Sequence, residues 1–129
     1  MAPKVLPKPT QAELAILNVL WEKGPSTVRS VFEVLGETQG VGYTTVLKLM
    51  QIMAKKGLAP RDERWKTHVY AAAIAEEGTQ RQLVRDLLDR AFGGSTERLV
   101  LHALGEKKVS REELARIRRM LDELEGGKR

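Results

Sequence analysis

The sequence predicts a mainly α-helical protein with a small β-hairpin, built in two parts. Three observations carry that expectation. Apolar residues recur at helical spacing in six segments, separated by glycine, proline and polar stops. One stretch after Gly57 alternates like a short ribbon instead. The charge also changes character along the chain: residues 1–75 hold 10 basic and 6 acidic side chains, whereas 76–129 hold 12 and 11. Surplus positive charge suits a polyanion-binding surface, and balanced charge around an apolar stripe suits a helical oligomerisation segment. The boundary is placed at Ala75.

The elements follow in order. Thr10 with Glu13 three residues on has the spacing of a capping box, which opens a first helix. Leu14, Leu17 and Leu20 or Trp21 follow at helical spacing, and Lys23-Gly24-Pro25 stops the pattern. A second helix starts after Ser26 or Thr27, buries Val28, Val31, Phe32 and Leu35, and ends at Gly36. A third runs from about Tyr43 to Lys56, with Gly57 as the left-handed residue after its end. At about 100° per residue, Val46, Leu49, Met50 and Met53 share its inner face. Thr44, Leu47, Lys48, Gln51 and Lys55 share the opposite one, and Thr44 to Lys56 contains no acid. Leu58–Arg61 and Thr67–Ala71 then form a small hairpin whose tip, Asp62 to Lys66, is basic and aromatic. Three helices followed by a two-stranded ribbon are a winged helix-turn-helix domain.

Residues 71–78 read as a joint. Thr79 is expected to cap a fourth helix with Leu83, Val84, Leu87, Leu88 and Ala91, ended by Gly93-Gly94. A fifth runs from about Thr96 to Leu104. Ser110 and Glu113 form a second capping box, opening a sixth helix whose Leu114, Ile117, Leu121 and Leu124 repeat as a heptad seam. The chain closes on a short basic tail. So small a helical part is marginal as an independent core. Its seam is buried either against the first part or against a second copy, and the second copy is favoured. The second part, 76–129, is therefore read as a C-terminal helical dimerisation domain with Leu83, Leu87, Leu88, Leu114, Ile117, Leu121 and Leu124 near the contact.

Composition excludes much. At 129 residues the chain is too short for a barrel enzyme. It has no cysteine, hence no disulfides, thiolate metal sites or cysteine nucleophile. Its two histidines, His68 and His102, lack a metal-type partner at i+4, and no phosphate loop or nucleophile elbow is present. Glu76-Glu77 and Asp86/Asp89 are carboxylate pairs of the kind that lie solvated on helices. Neither enzyme activity, nor a metal, nor a cofactor is expected. No apolar run approaches the roughly 20 residues of a membrane helix. Met1 to Pro9 has no apolar signal-peptide core, so a cytoplasmic location without membrane partner is expected.

The net charge of +5 favours nucleic acid as partner. A recognition helix needs short polar or basic side chains near the end that enters the major groove. Thr44 and Thr45 fit that need, with Lys48 and Gln51 one and two turns further in and Lys55 beyond. Tyr43 offers a hydroxyl to phosphate. Ser26, Thr27 and Arg29 open the second helix, where exposed N–H groups favour an anion. Arg64 and Lys66 on the wing reach phosphate or the adjacent minor groove. Each has a structural reading as well. One of Thr44 and Thr45 caps its helix, Tyr43 is half-buried, Lys55 and Lys56 complement the helix C-terminus, and Trp65 packs on the sheet.

Four blocks, in this order and at these spacings, carry a resemblance: Thr10 to Trp21, Gly42-Tyr43-Thr44-Thr45-Val46, Lys55-Lys56-Gly57-Leu58 and His68-Val69-Tyr70. Together they make the chain similar to the BlaI/MecI penicillinase-repressor family over nearly its whole length, to about Glu125. The resemblance implies a winged-helix domain, a helical dimerisation domain and a dimer on a dyad-symmetric operator. It places Thr44, Thr45 and Lys48 on the DNA-facing side of the recognition helix and Arg64 to Lys66 on a slightly lengthened wing. In the family's antibiotic-responsive branch a membrane sensor-protease cuts an Asn–Phe bond in the fifth helix, where this chain has His102-Ala103. The copper-responsive branch senses metal through a cysteine-rich tail, which is missing here. The expectation is a homodimeric transcriptional repressor on double-stranded, pseudo-palindromic operator DNA, with inducer and upstream sensor unassigned. The alternatives are a winged-helix protein-interaction adaptor docking an acidic partner and, third, a non-specific nucleoid protein.

Overall fold

The computed structural model describes residues 8–127. Residues 1–7 and the basic tail at 128–129 lie outside it. Six helices and one hairpin follow in order: α1 (Gln11–Lys23), α2 (Val28–Gln39), α3 (Tyr43–Lys56), β1 (Arg61–Asp62), β2 (Val69–Tyr70), α4 (Glu76–Ala91), α5 (Thr96–Glu106) and α6 (Arg111–Glu125). They fall into two compact units, Met1–Arg81 and Gln82–Arg129, so that the division lies inside α4.

In the first unit the capping box closes as the spacing requires. Thr10 Oγ1 accepts the Glu13 N–H at 3.2 Å, and Glu13 Oε1 accepts the Thr10 N–H at 2.9 Å. The buried face of α1 is Ile16, Leu17, Val19 and Leu20; Leu14 and Trp21, expected to join it, are only half-buried. Thr27 caps α2 by accepting the Ser30 N–H. α2 does not end at Gly36 but runs on to Gln39, and Gly40, at φ 67°, terminates it. Gly36 serves packing instead: a Cβ there would meet the Phe32 ring at 3.1 Å. α3 has the expected bounds, and Gly57 at φ 86° ends it while the Leu58 N–H reaches back to the Met53 carbonyl at 2.9 Å.

The core of this unit is one cluster. Ile16, Leu17 and Leu20 of α1 meet Val28, Val31 and Leu35 of α2 and Val46, Met50 and Met53 of α3, with Leu58, Ala59 and Tyr70 closing it. The strands are shorter than the alternation suggested, two residues each, with Arg61 opposite Tyr70 and Asp62 opposite Val69. Tyr70 is also bridged on its other side to Ser26, by backbone bonds of 2.8 and 2.9 Å. The ribbon is thus stitched to the start of α2. The joint belongs to this unit too: the Trp21 indole N–H donates to the Ile74 carbonyl at 2.9 Å. Thr79 is not an N-cap. It lies inside α4, buried, with its hydroxyl donating to the Ala75 carbonyl.

In the second unit Ser95 caps α5 and Ser110 caps α6, each accepting the N–H three residues on at 3.1 Å. Only half of the expected box at Ser110 forms, because the Glu113 carboxylate does not return to it. α5 extends past Leu104 to Glu106. Nothing between residues 82 and 127 is buried.

Candidate nucleic-acid interface

α3 supplies the centre of the site. Its inner residues fix its rotation, and this leaves Tyr43, Thr44, Thr45, Lys48, Gln51 and Lys55 exposed. The cap is Gly42, which offers no side chain, so neither Thr44 nor Thr45 caps the helix as expected. Among the described residues their hydroxyls make no hydrogen bond, and Lys48, Lys55 and Lys66 enter no ion pair. Leu47, apolar on an otherwise polar face, is half-buried and packs against the core.

Tyr43 sets the edge of the site. Its ring stands edge-on to Phe32, with centroids 5.6 Å apart, and the Arg29 guanidinium lies 5.5 Å over its face. A cleft of about 410 Å³ runs from there to the wing, lined by Arg29, Tyr43, Leu47 and Gln51 on one side and Arg61, Lys66 and His68 on the other. A second of about 550 Å³ lies between Gln51 and Lys55 of α3 and Arg61 and Glu63 of the hairpin. Both are open, and cations outnumber carboxylates in each.

Two residues of the expected set have partners within the chain. Ser26 is buried, its hydroxyl donating to the Gly24 carbonyl and its N–H to Tyr70, so it has no donor left for a phosphate. Arg64 is already engaged. Its guanidinium donates to both Asp62 oxygens at 2.7 to 3.1 Å, and its backbone N–H to Asp62 Oδ1 at 3.0 Å. Those bonds hold the Asp62 carboxyl at a pKa of about 2. Thr27 keeps a structural task as the cap of α2. Trp65 does not pack on the sheet but stands 66% exposed.

Arg61 is the residue missed by sequence reasoning. It borders both clefts, donating to Glu63 Oε2 at 2.6 Å and to the Tyr70 hydroxyl at 3.4 Å. Its position depends on a strand register that no local pattern reports. A second missed contact lies behind the site. Lys56 Nζ donates to both Glu13 oxygens, at 2.8 and 3.0 Å, with Glu13 only 2% exposed. This pair ties the end of α3 to the start of α1, so Lys56 does more than complement its own helix. No cluster of three or more metal-binding side chains is found among the described residues, and no helix there is long and apolar enough to cross a membrane.

The penicillinase repressor family model matches residues 9–123 of the chain. The chain belongs to the penicillinase repressor family. Within the family it is 33% identical, over 89% of its length and 83% of the relative's, to the transcriptional regulator BlaI of Mycobacterium tuberculosis (strain CDC 1551 / Oshkosh). It is 24% identical to the penicillinase repressor of Bacillus licheniformis over 93% and 94% of the two chains. Among solved structures it is similar to the DNA-binding domain of the repressor BlaI in solution, with a TM-score of 0.51 and 24% identity over 57% of this chain and 90% of that one. That likeness establishes the fold of the first unit as a winged helix-turn-helix.

Proposed function

We propose that the chain is a sequence-specific, DNA-binding transcriptional repressor of the cytoplasm, acting as a homodimer on a pseudo-palindromic operator. The observation that carries this reading is the outward face of α3, where Thr44, Lys48, Gln51 and Lys55 stand exposed without an acid on the helix. α3 enters the major groove, Arg29 and Lys66 flank it on phosphates, and repression is by occupancy. The second unit supplies the dimer contact. Leu87, Leu121 and Leu124 are 49%, 55% and 67% exposed, beside the half-buried Leu83, Leu88, Leu114 and Ile117. An unburied apolar face of this kind is covered economically by its own copy.

Selection of genomic fragments by the purified protein tests the proposal, at about 0.15 M salt with excess competitor DNA. Fragments sharing an inverted repeat support it. Uniform or empty recovery moves the weight to an acidic protein partner or to non-specific binding.

Two further results are expected on such a fragment. With about four phosphate contacts per protomer, the logarithm of affinity falls against that of salt with a slope of roughly −7. A slope shallower than about −3 would leave too few phosphate contacts for the docking described. Lys48→Ala costs about 1–3 kcal/mol on the operator if Lys48 reads a base. An equal loss on scrambled duplex would make Lys48 a phosphate contact instead, and no loss on either would remove it from the interface.

A further inference from the structure

We infer that Trp65 enters the DNA minor groove from the tip of the wing, and that Arg64 braces the loop presenting it. The inference rests on the DNA-binding reading above. The two tryptophans have opposite surroundings. Trp21 is half-buried with its indole N–H satisfied by Ile74. Trp65 is 66% exposed and, among the described residues, makes no hydrogen bond or ring contact. A large aromatic ring gains from being covered, and at the tip of the wing, beside the unpaired Lys66, the DNA of the reading above is what would cover it.

The wing is stiffened around that ring. Asp62 binds the Arg64 backbone and guanidinium together, and Glu63 binds Arg61. Two of the wing's three cations are thereby compensated by its two carboxylates, which leaves Lys66 and the indole unspent. A flat aromatic beside a free ammonium matches a base step beside a phosphate. Apolar side chains of minor-groove binders, phenylalanine among them, frequently act as wedges between base steps. With α3 in the major groove, the next groove along the duplex is the minor one.

The test uses the full chain and a mixed-sequence duplex of about 30 bp, at low salt so that no operator need be known. Saturating duplex is expected to quench tryptophan emission in the wild type and in Trp21→Phe, and not in Trp65→Phe. Trp65→Ala is expected to weaken binding about tenfold, with an unchanged melting temperature because the ring is exposed; Trp65→Phe keeps most of the affinity. On a second duplex made of A·T pairs, whose minor groove netropsin fills, saturating netropsin is expected to abolish the quenching. Affinity of Trp65→Ala within twofold of wild type, quenching that survives Trp65→Phe, or quenching that survives saturating netropsin on the A·T duplex, overturns the assignment. If the wild type binds no duplex under these conditions, the DNA-binding reading itself fails and the wedge with it. If it binds with Trp65 silent, only the wedge fails.

Discussion

Leu121→Asp combined with Leu124→Asp is expected to yield a monomer whose affinity for an inverted repeat is lower by about two to four orders of magnitude. That is the range lost when two linked binding events become one. Both side chains are more than half exposed in the single chain, so the charges should leave α6 itself intact. Ser110 still caps it, and the helical circular dichroism of the variant should match the wild type. Across a dimer seam the same substitutions bring four carboxylates into an apolar contact and remove the burial of four leucines, each worth about 1.5–3 kcal/mol. Sedimentation equilibrium reads the mass, and gel shifts on one-half-site and two-half-site duplexes read the affinity. The one-half-site duplex should bind as before. A variant that remains dimeric would move the seam to α5, where Val100, Leu101 and Leu104 are also exposed and received no partner from the heptad pattern.

What could be read from the sequence and what could not divide along the range of the interactions. Thr10 with Glu13, and Gly57 after Lys56, report helix ends because the groups that satisfy them lie within a few residues. The rotation of α3 was legible for the same reason: Val46, Met50 and Met53 repeat on one face, which places Thr44, Lys48 and Gln51 on the other. Gly36 misled because a glycine in a helical run can mark a stop or make room, and only the Phe32 ring against it decides. Thr79 misled because a threonine hydroxyl can cap a helix or bond back to the carbonyl four residues earlier. Arg64 reads as a wing cation from its charge and from the resemblance, whereas its pairing with Asp62, two residues away, depends on the conformation of the loop. Arg61, facing Tyr70 across the ribbon, needed a register that alternation cannot set over two-residue strands.

The Glu13–Lys56 pair spans 43 residues and carries the second large expected effect. Glu13→Ala is expected to destabilise the first unit by about 2–3 kcal/mol, lowering its melting temperature by roughly 10–20 °C. Breaking a fully buried pair costs more, but the Lys56 side chain is 30% exposed and can turn its ammonium to water. Part of the loss is the cap, since the Thr10 N–H loses its acceptor. The pair also predicts a dependence on pH. Burial pushes the Glu13 carboxyl up, but the bonds from Lys56 and Thr10 outweigh it, so the folded pKa lies below the ordinary 4.5. Its stabilisation is therefore complete above the unfolded value and is lost as pH falls through the folded one. Asp62, held at about 2, adds acid sensitivity of its own. The informative quantity is accordingly the difference between wild type and Glu13→Gln, measured by denaturant melts from neutral pH downward. That difference should shrink below about pH 4.5; a difference constant with pH would mean that the carboxylate charge contributes nothing. The double variant Glu13→Met with Lys56→Met separates stability from placement. An apolar pair of similar volume is expected to recover most of the loss of Glu13→Ala, all but the capping bond from the Thr10 N–H, which methionine cannot accept. If it also preserves DNA affinity, the ion pair serves to hold α3 in place, and any contact filling the same space against α1 will do so.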